Sequence, residues 1–317
     1  MIEQQTTNSI LMVSPASFDY NEQTAANNFY QKLDKSFSGH AGQQQAMRQF
    51  EDFVNKLCAS GITVHVIDDL AEPVTPDAVF PNNWISFHED GRVVFYPMYA
   101  KNRRPERRDD IPEYLRDKGY HFREKVDLSF FEKDEIFLEG TGSMVLDREN
   151  RIAYAAYSPR THKRALEEFC RRFNYRPMAF HALQPVEKSR EAIYHTNVMM
   201  YVGKRFSFIC LDAIDDPNEK ESVIDSLSSS GKEIVPLAET QLLDFAGNML
   251  EVKDGNGRPV TVMSSAAYHS LSREQRAKIE QYSPIVHSDL SVIETLGGGS
   301  ARCMMAEIFL PQDAGHE

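Results

Sequence analysis

The apolar positions of this chain follow two periods in turn, and each change of period is punctuated. Met47, Phe50, Val54, Leu57 and Cys58 recur at helical spacing, with Gly61 where a C-terminal cap belongs. Leu166, Phe169, Cys170 and Phe173 form a second helical stripe. Asp216 and Pro217 read as the cap and first turn of a third helix that stops at Gly231. Ser272 and Gln275 stand in capping-box spacing at the head of a fourth, and Asp109–Asp110 opens one more that ends near Gly119. Between the helices lie short apolar runs joined by hairpin signals: GluAspGly at 89–91, AspArgGluAsn at 147–150, ValGlyLys at 202–204 and AspGlyAsnGly at 254–257.

The runs repeat. Motifs of small or polar residues interrupt them at 79–83 (ValPheProAsnAsn), 137–141 (PheLeuGluGlyThr), 194–198 (TyrHisThrAsnVal), 245–249 (PheAlaGlyAsnMet) and 295–299 (ThrLeuGlyGlyGly). Their starts are 58, 57, 51 and 50 residues apart. Each period holds a strand carrying the motif, a hairpin, a second strand, an amphipathic helix and a third strand, which is a ββαβ unit. About five units fit, the strand Ile10 to Val13 completing the one that the C-terminal strands begin. The expectation is one α/β domain over residues 1–317, a closed five-unit ring with helices outside and motif ends inside. The competing reading is an α/β sandwich whose spacings are accidental.

Composition narrows the partners more than the fold. Of 317 residues, 41% are hydrophobic and 26% charged, ordinary for a globular core. A formal charge of −12 argues against general affinity for nucleic acid or anionic membrane. The opening residues Met1 to Asn8 are polar, without a basic leader, and no apolar stretch reaches spanning length, so a cytoplasmic protein is expected. The four cysteines, Cys58, Cys170, Cys210 and Cys303, are far apart and form no CxxC pair, and the histidines show no metal-ligand spacing. No metal or cofactor is expected.

Three residues stand out as chemistry. Cys58 and Cys170 fall on apolar helix faces and Cys210 in a strand, which suits core packing, but Cys303 follows GlyGlyGlySerAlaArg, where glycines admit close approach of a ligand. His195 and Glu139 each sit within an apolar strand segment, where a polar group needs a partner. The basic run 101–108 is either a solvated face or a carboxylate-binding element. Cys303, His195 and Glu139 occupy equivalent points of different repeats, so closing the ring would gather a thiol, an imidazole and a carboxylate, a covalent-catalysis set.

These segments, together with SerProAlaSerPheAspTyrAsn at 14–21, resemble the pentein superfamily over nearly the whole chain. That superfamily comprises arginine deiminases, dimethylarginine dimethylaminohydrolases, amidinotransferases and arginine dihydrolases, and the resemblance is strongest to its amidinotransferase-like, citrulline-utilization hydrolase branch. It implies a five-bladed, pseudo-fivefold α/β propeller and a cofactor-free cysteine hydrolase of a guanidino or ureido carbon. By the same resemblance Cys303 matches the nucleophile, His195 the acid/base and Glu139 the guanidinium-contacting carboxylate. Arg160 matches a residue holding the substrate's α-carboxylate, Arg103 (or its neighbour Arg104) a second such arginine, and Asn27 a further substrate contact. Two departures matter: Asn83 and Asn197 stand where related deiminases carry Asp. An amide both donates and accepts, so it tolerates a neutral ureido group better than a pair of carboxylates would. That favours an enzyme that proceeds past citrulline or starts from it, as arginine dihydrolases with Asn at the position of Asn83 do. An amidinotransferase, a dimethylarginine-type hydrolase and a non-enzymatic binding protein of the same fold are the alternatives, and the oligomeric state is left open.

Overall fold

The computed structural model describes residues 4–37 and 39–312. It contains five three-stranded sheets of one pattern: an antiparallel pair whose second strand runs parallel to a third. The first joins Ile85–Phe87, Arg92–Phe95 and Glu124–Asp127. The second joins Val145–Asp147, Ile152–Tyr157 and Arg176–His181. The third joins Met200–Val202, Phe206–Ile209 and Glu233–Pro236, and the fourth Leu250–Lys253, Pro259–Ser264 and Ile285–Ser288. The fifth is assembled from both ends of the chain: Ala306–Glu307 lies antiparallel to Ser9–Ser14, which runs parallel to Thr63–Asp68. Its register, Ile10 opposite Glu307 and also beside Val64, is the completion of one unit by the two chain ends. A two-stranded hairpin, Leu183–Val186 with Ser189–Ala192, is an addition that the repeat does not contain.

Each parallel crossover carries a helix, because two parallel strands cannot be joined by a tight turn. The helix Lys163–Phe173 buries Leu166, Phe169, Cys170 and Phe173, the predicted stripe. Emptying such a site, as in Phe169→Ala, costs about 3–5 kcal/mol. Asp216 caps Pro217–Ser229 by accepting from the Asn218 N–H at 2.8 Å, and Ser272 with Gln275 closes the capping box of Arg273–Glu280. Gly61, at φ 80, follows the helix His40–Ala59 in the left-handed region that favours glycine.

Two local expectations need correction. Cys58 is exposed. The face of His40–Ala59 that packs is Ala46, Phe50, Phe53 and Leu57, and Cys58 lies about 100° further round, turned to solvent. The motifs, in turn, are not strands. Pro81–Asn83, Gly140–Ser143 and Thr196–Met199 are single helical turns that immediately precede the hairpins. Glu139 and His195 therefore occupy the residue just before a turn instead of a strand interior. Apolar neighbours on both sides made these segments read as strands, but their backbones turn to aim the polar side chain.

Among the described residues no helix is long and apolar enough to cross a membrane.

Candidate active site

The helical turns deliver their side chains to one place. Glu139, wholly buried, accepts from His195 Nε2 through Oε2 at 2.8 Å and from the Tyr99 backbone N–H through Oε1 at 2.9 Å. Arg160 approaches the same Oε2 at 3.4 Å. Glycine is required beside this pair: a Cβ on Gly142 would come within 2.8 Å of His195 Nδ1 and 2.6 Å of Asn83 Nδ2.

The electrostatics of this group follow from burial and pairing. Burial alone would raise the Glu139 carboxyl, but Arg160 and the bond to His195 bring it well below the usual carboxylate range. His195 is pushed down to about 4, chiefly because burial penalises the imidazolium, against the pull of Glu139. Near neutral pH the carboxylate is thus ionised and the imidazole neutral, a base ready to accept a proton.

Cys303 lies on a turn whose Cys303 N–H bonds the Ser300 carbonyl. Its sulfur is met by the Asn248 amide at 3.3 Å and the Asn197 amide at 3.6 Å. Cys303, His195, Asn83, Arg103 and Arg160 all line one cavity, with Asp77, Thr24, Asn28, Tyr194, Phe80 and two glycines of the 297–299 run completing the wall. Cys303 and His195, far apart in sequence, are thereby presented to one volume, with Glu139 hydrogen-bonded to the imidazole.

The remaining candidates are placed as follows. Arg160 donates to Asn27 Oδ1 and the Thr24 carbonyl, both at 2.8 Å, and its guanidinium lies 4.8 Å from the Tyr194 ring centroid. Of the two adjacent arginines, Arg103 is the one on the cavity. Its fork is held by Glu106 at 2.8–3.1 Å, and its Nη1 donates to Asn83 Oδ1 at 2.9 Å. Arg104 instead pairs with Glu132. Across the basic run, Arg107 pairs with Glu132 and Arg108 with Asp110, so these charges are largely spoken for within the fold. Glu139 stands behind His195 and is not among the cavity-lining side chains. Of the Asn pair, Asn83 lines the cavity and Asn197 stands against the sulfur.

Sequence reasoning missed Asp77, Tyr194 and Asn248. Asp77 is buried, with Oδ2 accepting from Asn21 and Thr24 and Oδ1 left without a partner. A carboxylate two residues before the first motif was a usable signal. Asn248 holds the fourth place of its five-residue motif, as Asn82 and Asn197 do in theirs, and that register could have named it. Among the described residues no group of three or more His, Cys, Asp or Glu could hold a metal ion.

Comparison with known proteins follows this geometry. A family model described as N,N-dimethylarginine dimethylhydrolase, eukaryotic, matches residues 14–310. No curated protein matches the chain by sequence. Among solved structures, ArgZ, an arginine dihydrolase from the ornithine–ammonia cycle in cyanobacteria, superposes with a TM-score of 0.71 at 18% identity over 96% of this chain and 41% of its own. The substrate-bound N-terminal domain of ArgZ gives 0.68 at 19% identity, covering 95% of this chain and 99% of that one. A dimethylarginine dimethylaminohydrolase carrying an S-methyl-L-thiocitrulline adduct gives 0.62 at 13%, over 96% and 100%. At these identities the likeness is one of fold, an α/β architecture of several small sheets, and this chain spans about 41% of full-length ArgZ.

Proposed function

From the premise that the chain belongs to the N,N-dimethylarginine dimethylhydrolase family, we propose that it is a cysteine-dependent hydrolase of the guanidino or ureido carbon of an arginine- or citrulline-like amino acid. The observation that carries this reading is the gathering of Cys303, His195 and the unpartnered Asp77 oxygen around one cavity beside Arg160. In this reading the five sheets are the blades of a five-bladed propeller, the chain is one catalytic domain, and the motif turns face its axis.

Neutral His195 takes the proton of Cys303, and the thiolate adds to the planar central carbon. The carbon–nitrogen bond then breaks as the imidazolium returns that proton to the departing amine, leaving a thiouronium- or thiocarbamate-like adduct on sulfur. Water, deprotonated by His195, attacks the adduct, the carbon–sulfur bond breaks, and the thiol is restored. Glu139 keeps the imidazole in place and balances its charge when it is protonated. The N–H groups that Arg160 does not spend on Asn27, Thr24 and Glu139 suit an α-carboxylate, and Asp77 Oδ1 suits an α-ammonium. Arg103, clamped by Glu106, orients Asn83 in preference to binding substrate itself. Asn83 and Asn197 let a ureido group remain bound after the first amine leaves. No cofactor enters the scheme.

The family match favours one second reading, that N-methylated guanidines are accepted and a methylated amine departs. Mass spectrometry after incubation with arginine, citrulline, dimethylarginine and agmatine separates the readings. Agmatine, lacking the carboxylate that Arg160 would hold, is expected to be the poorest. No consumption of any of the four would end the hydrolase reading, and preferred turnover of agmatine would remove Arg160 from it.

A further inference from the structure

The motif at 245–249 is one that the scheme above leaves without a chemical task. It packs closely on the third: Phe245 takes a left-handed φ of 58, and a Cβ on Gly247 would lie 2.3 Å from the Val198 carbonyl oxygen. Only glycine fits there, and the contact presses the next residue, Asn248, against both Asn197 and the sulfur of Cys303.

The Asn248 amide is wholly buried, and its orientation is fixed from both ends. Its Oδ1 accepts from the Arg302 N–H at 2.9 Å, so the oxygen must face that way. Its Nδ2 donates to the Asn197 carbonyl at 3.1 Å and reaches Cys303 Sγ at 3.3 Å. An amide nitrogen has two hydrogens, and here each has one acceptor. Flipping the group would set oxygen against the Asn197 carbonyl oxygen and nitrogen against the Arg302 N–H. Asn197 lacks this lock, since its Nδ2 at 3.6 Å and its Oδ1 at 3.9 Å both lie within reach of the sulfur.

We propose that Asn248 is a catalytic residue: it holds one N–H permanently on Cys303 Sγ and so favours the thiolate over the thiol. A thiol is a weak hydrogen-bond acceptor and a thiolate a strong one, so a donor that cannot turn away stabilises the charged form. The other ionisable groups around the sulfur are His195, Tyr194, Asp77, Arg103 and Arg160 on the shared cavity, and Arg302 next in sequence. None of them gives the sulfur a fixed donor as Asn248 does.

The inference deepens the proposed reaction and rests on it for the thiolate's use, but its test needs no substrate. The thiolate absorbance of the full chain is titrated with pH, each protein being read as the difference from its own Cys303→Ser counterpart. Asn248→Asp keeps the acceptor for Arg302 and turns the donor facing sulfur into a negative oxygen. Its titration midpoint is expected to move up by about one pH unit, leaving about tenfold less thiolate at neutral pH. Asn248→Ala is expected to move it in the same direction by less, and decides the matter alone should Asn248→Asp fail to fold. Curves that superimpose on the unsubstituted protein would overturn the role, because a residue that only supports packing shifts the unfolding midpoint and not this one. Failure to shift would remove Asn248 while leaving the hydrolase reading intact. Absence of turnover with a shifted titration would do the reverse.

Discussion

Two buried cavities meet near Asn197, and their contents are opposite in kind. The first holds Cys303, His195 and an Asp77 oxygen with no partner. The second is larger and is lined by Asn197 together with Arg148, Arg302, Glu251 and Glu307. There the charges satisfy each other: Arg302 bonds Glu307 at 2.8 Å, Arg148 approaches it at 3.8 Å, and Glu251 accepts from the Tyr201 hydroxyl at 3.0 Å. Volume and charge therefore do not mark the candidate site. What distinguishes the smaller cavity is a carboxylate oxygen left unsatisfied beside a thiol and an imidazole.

This contrast is open to experiment, and the largest effect is expected where a single atom is removed. Cys303→Ala should lower turnover at least about 10⁴-fold with little change in unfolding temperature. Cys58→Ala, at an exposed sulfur, should match the unsubstituted rate, and equal activity in both variants would place the chemistry elsewhere. His195→Ala should cost about 10²–10⁴-fold in kcat, and a change confined to KM would deny it the acid/base role.

In the larger cavity the expected loss is of stability. Glu307→Gln removes the carboxylate shared by Arg148 and Arg302 and should destabilise the fold by about 3 kcal/mol. Its kcat per folded molecule should be unchanged, and a selective loss of kcat would erase the distinction between the cavities.

The smaller cavity should also leave a mark on acid stability. His195 is lowered from 6.5 to about 4 in the folded chain, so its contribution is complete above pH 6.5. As pH falls from 6.5 towards 4, the unfolded chain binds a proton that the folded chain refuses, and stability declines by up to about 3 kcal/mol. Glu139, held low, adds a further loss below the ordinary carboxylate range. Denaturant titrations at several pH values should show the decline, and His195→Gln should flatten its upper part; an unaltered slope would refute the assignment. The subtlest effect belongs to Asn83→Asp, which should shift products from ornithine towards citrulline. An unchanged ratio would strip Asn83 of its part in retaining the ureido group.

Much of this was legible in one dimension. The stripe 166–173, the Asp216 cap, the Ser272–Gln275 box and the hairpin turns all rest on contacts within a few residues, and local periodicity reports such contacts directly. The spacing of the motifs likewise announced five similar units, the fifth completed by the N-terminal strand, as the pairing of Ser9–Ser14 with Ala306–Glu307 bears out. The motif turns escaped because a single helical turn amid apolar residues has no period of its own. Cys58 escaped because a stripe of apolar residues does not say where its edge meets solvent.

The sequence by itself determined the units, their order and the residue types capable of chemistry. Only the tertiary structure decided that Glu139 stands behind His195, that Arg103 belongs to Glu106 and Asn83, and that Asn248 touches the sulfur. Those relations join residues separated by 56, 20 and 55 positions, or by only three within a bent segment, and they depend on how separate units pack. Distance along the chain carries no information about such a meeting: it is set by the packing of buried faces and by a glycine that lets two turns touch.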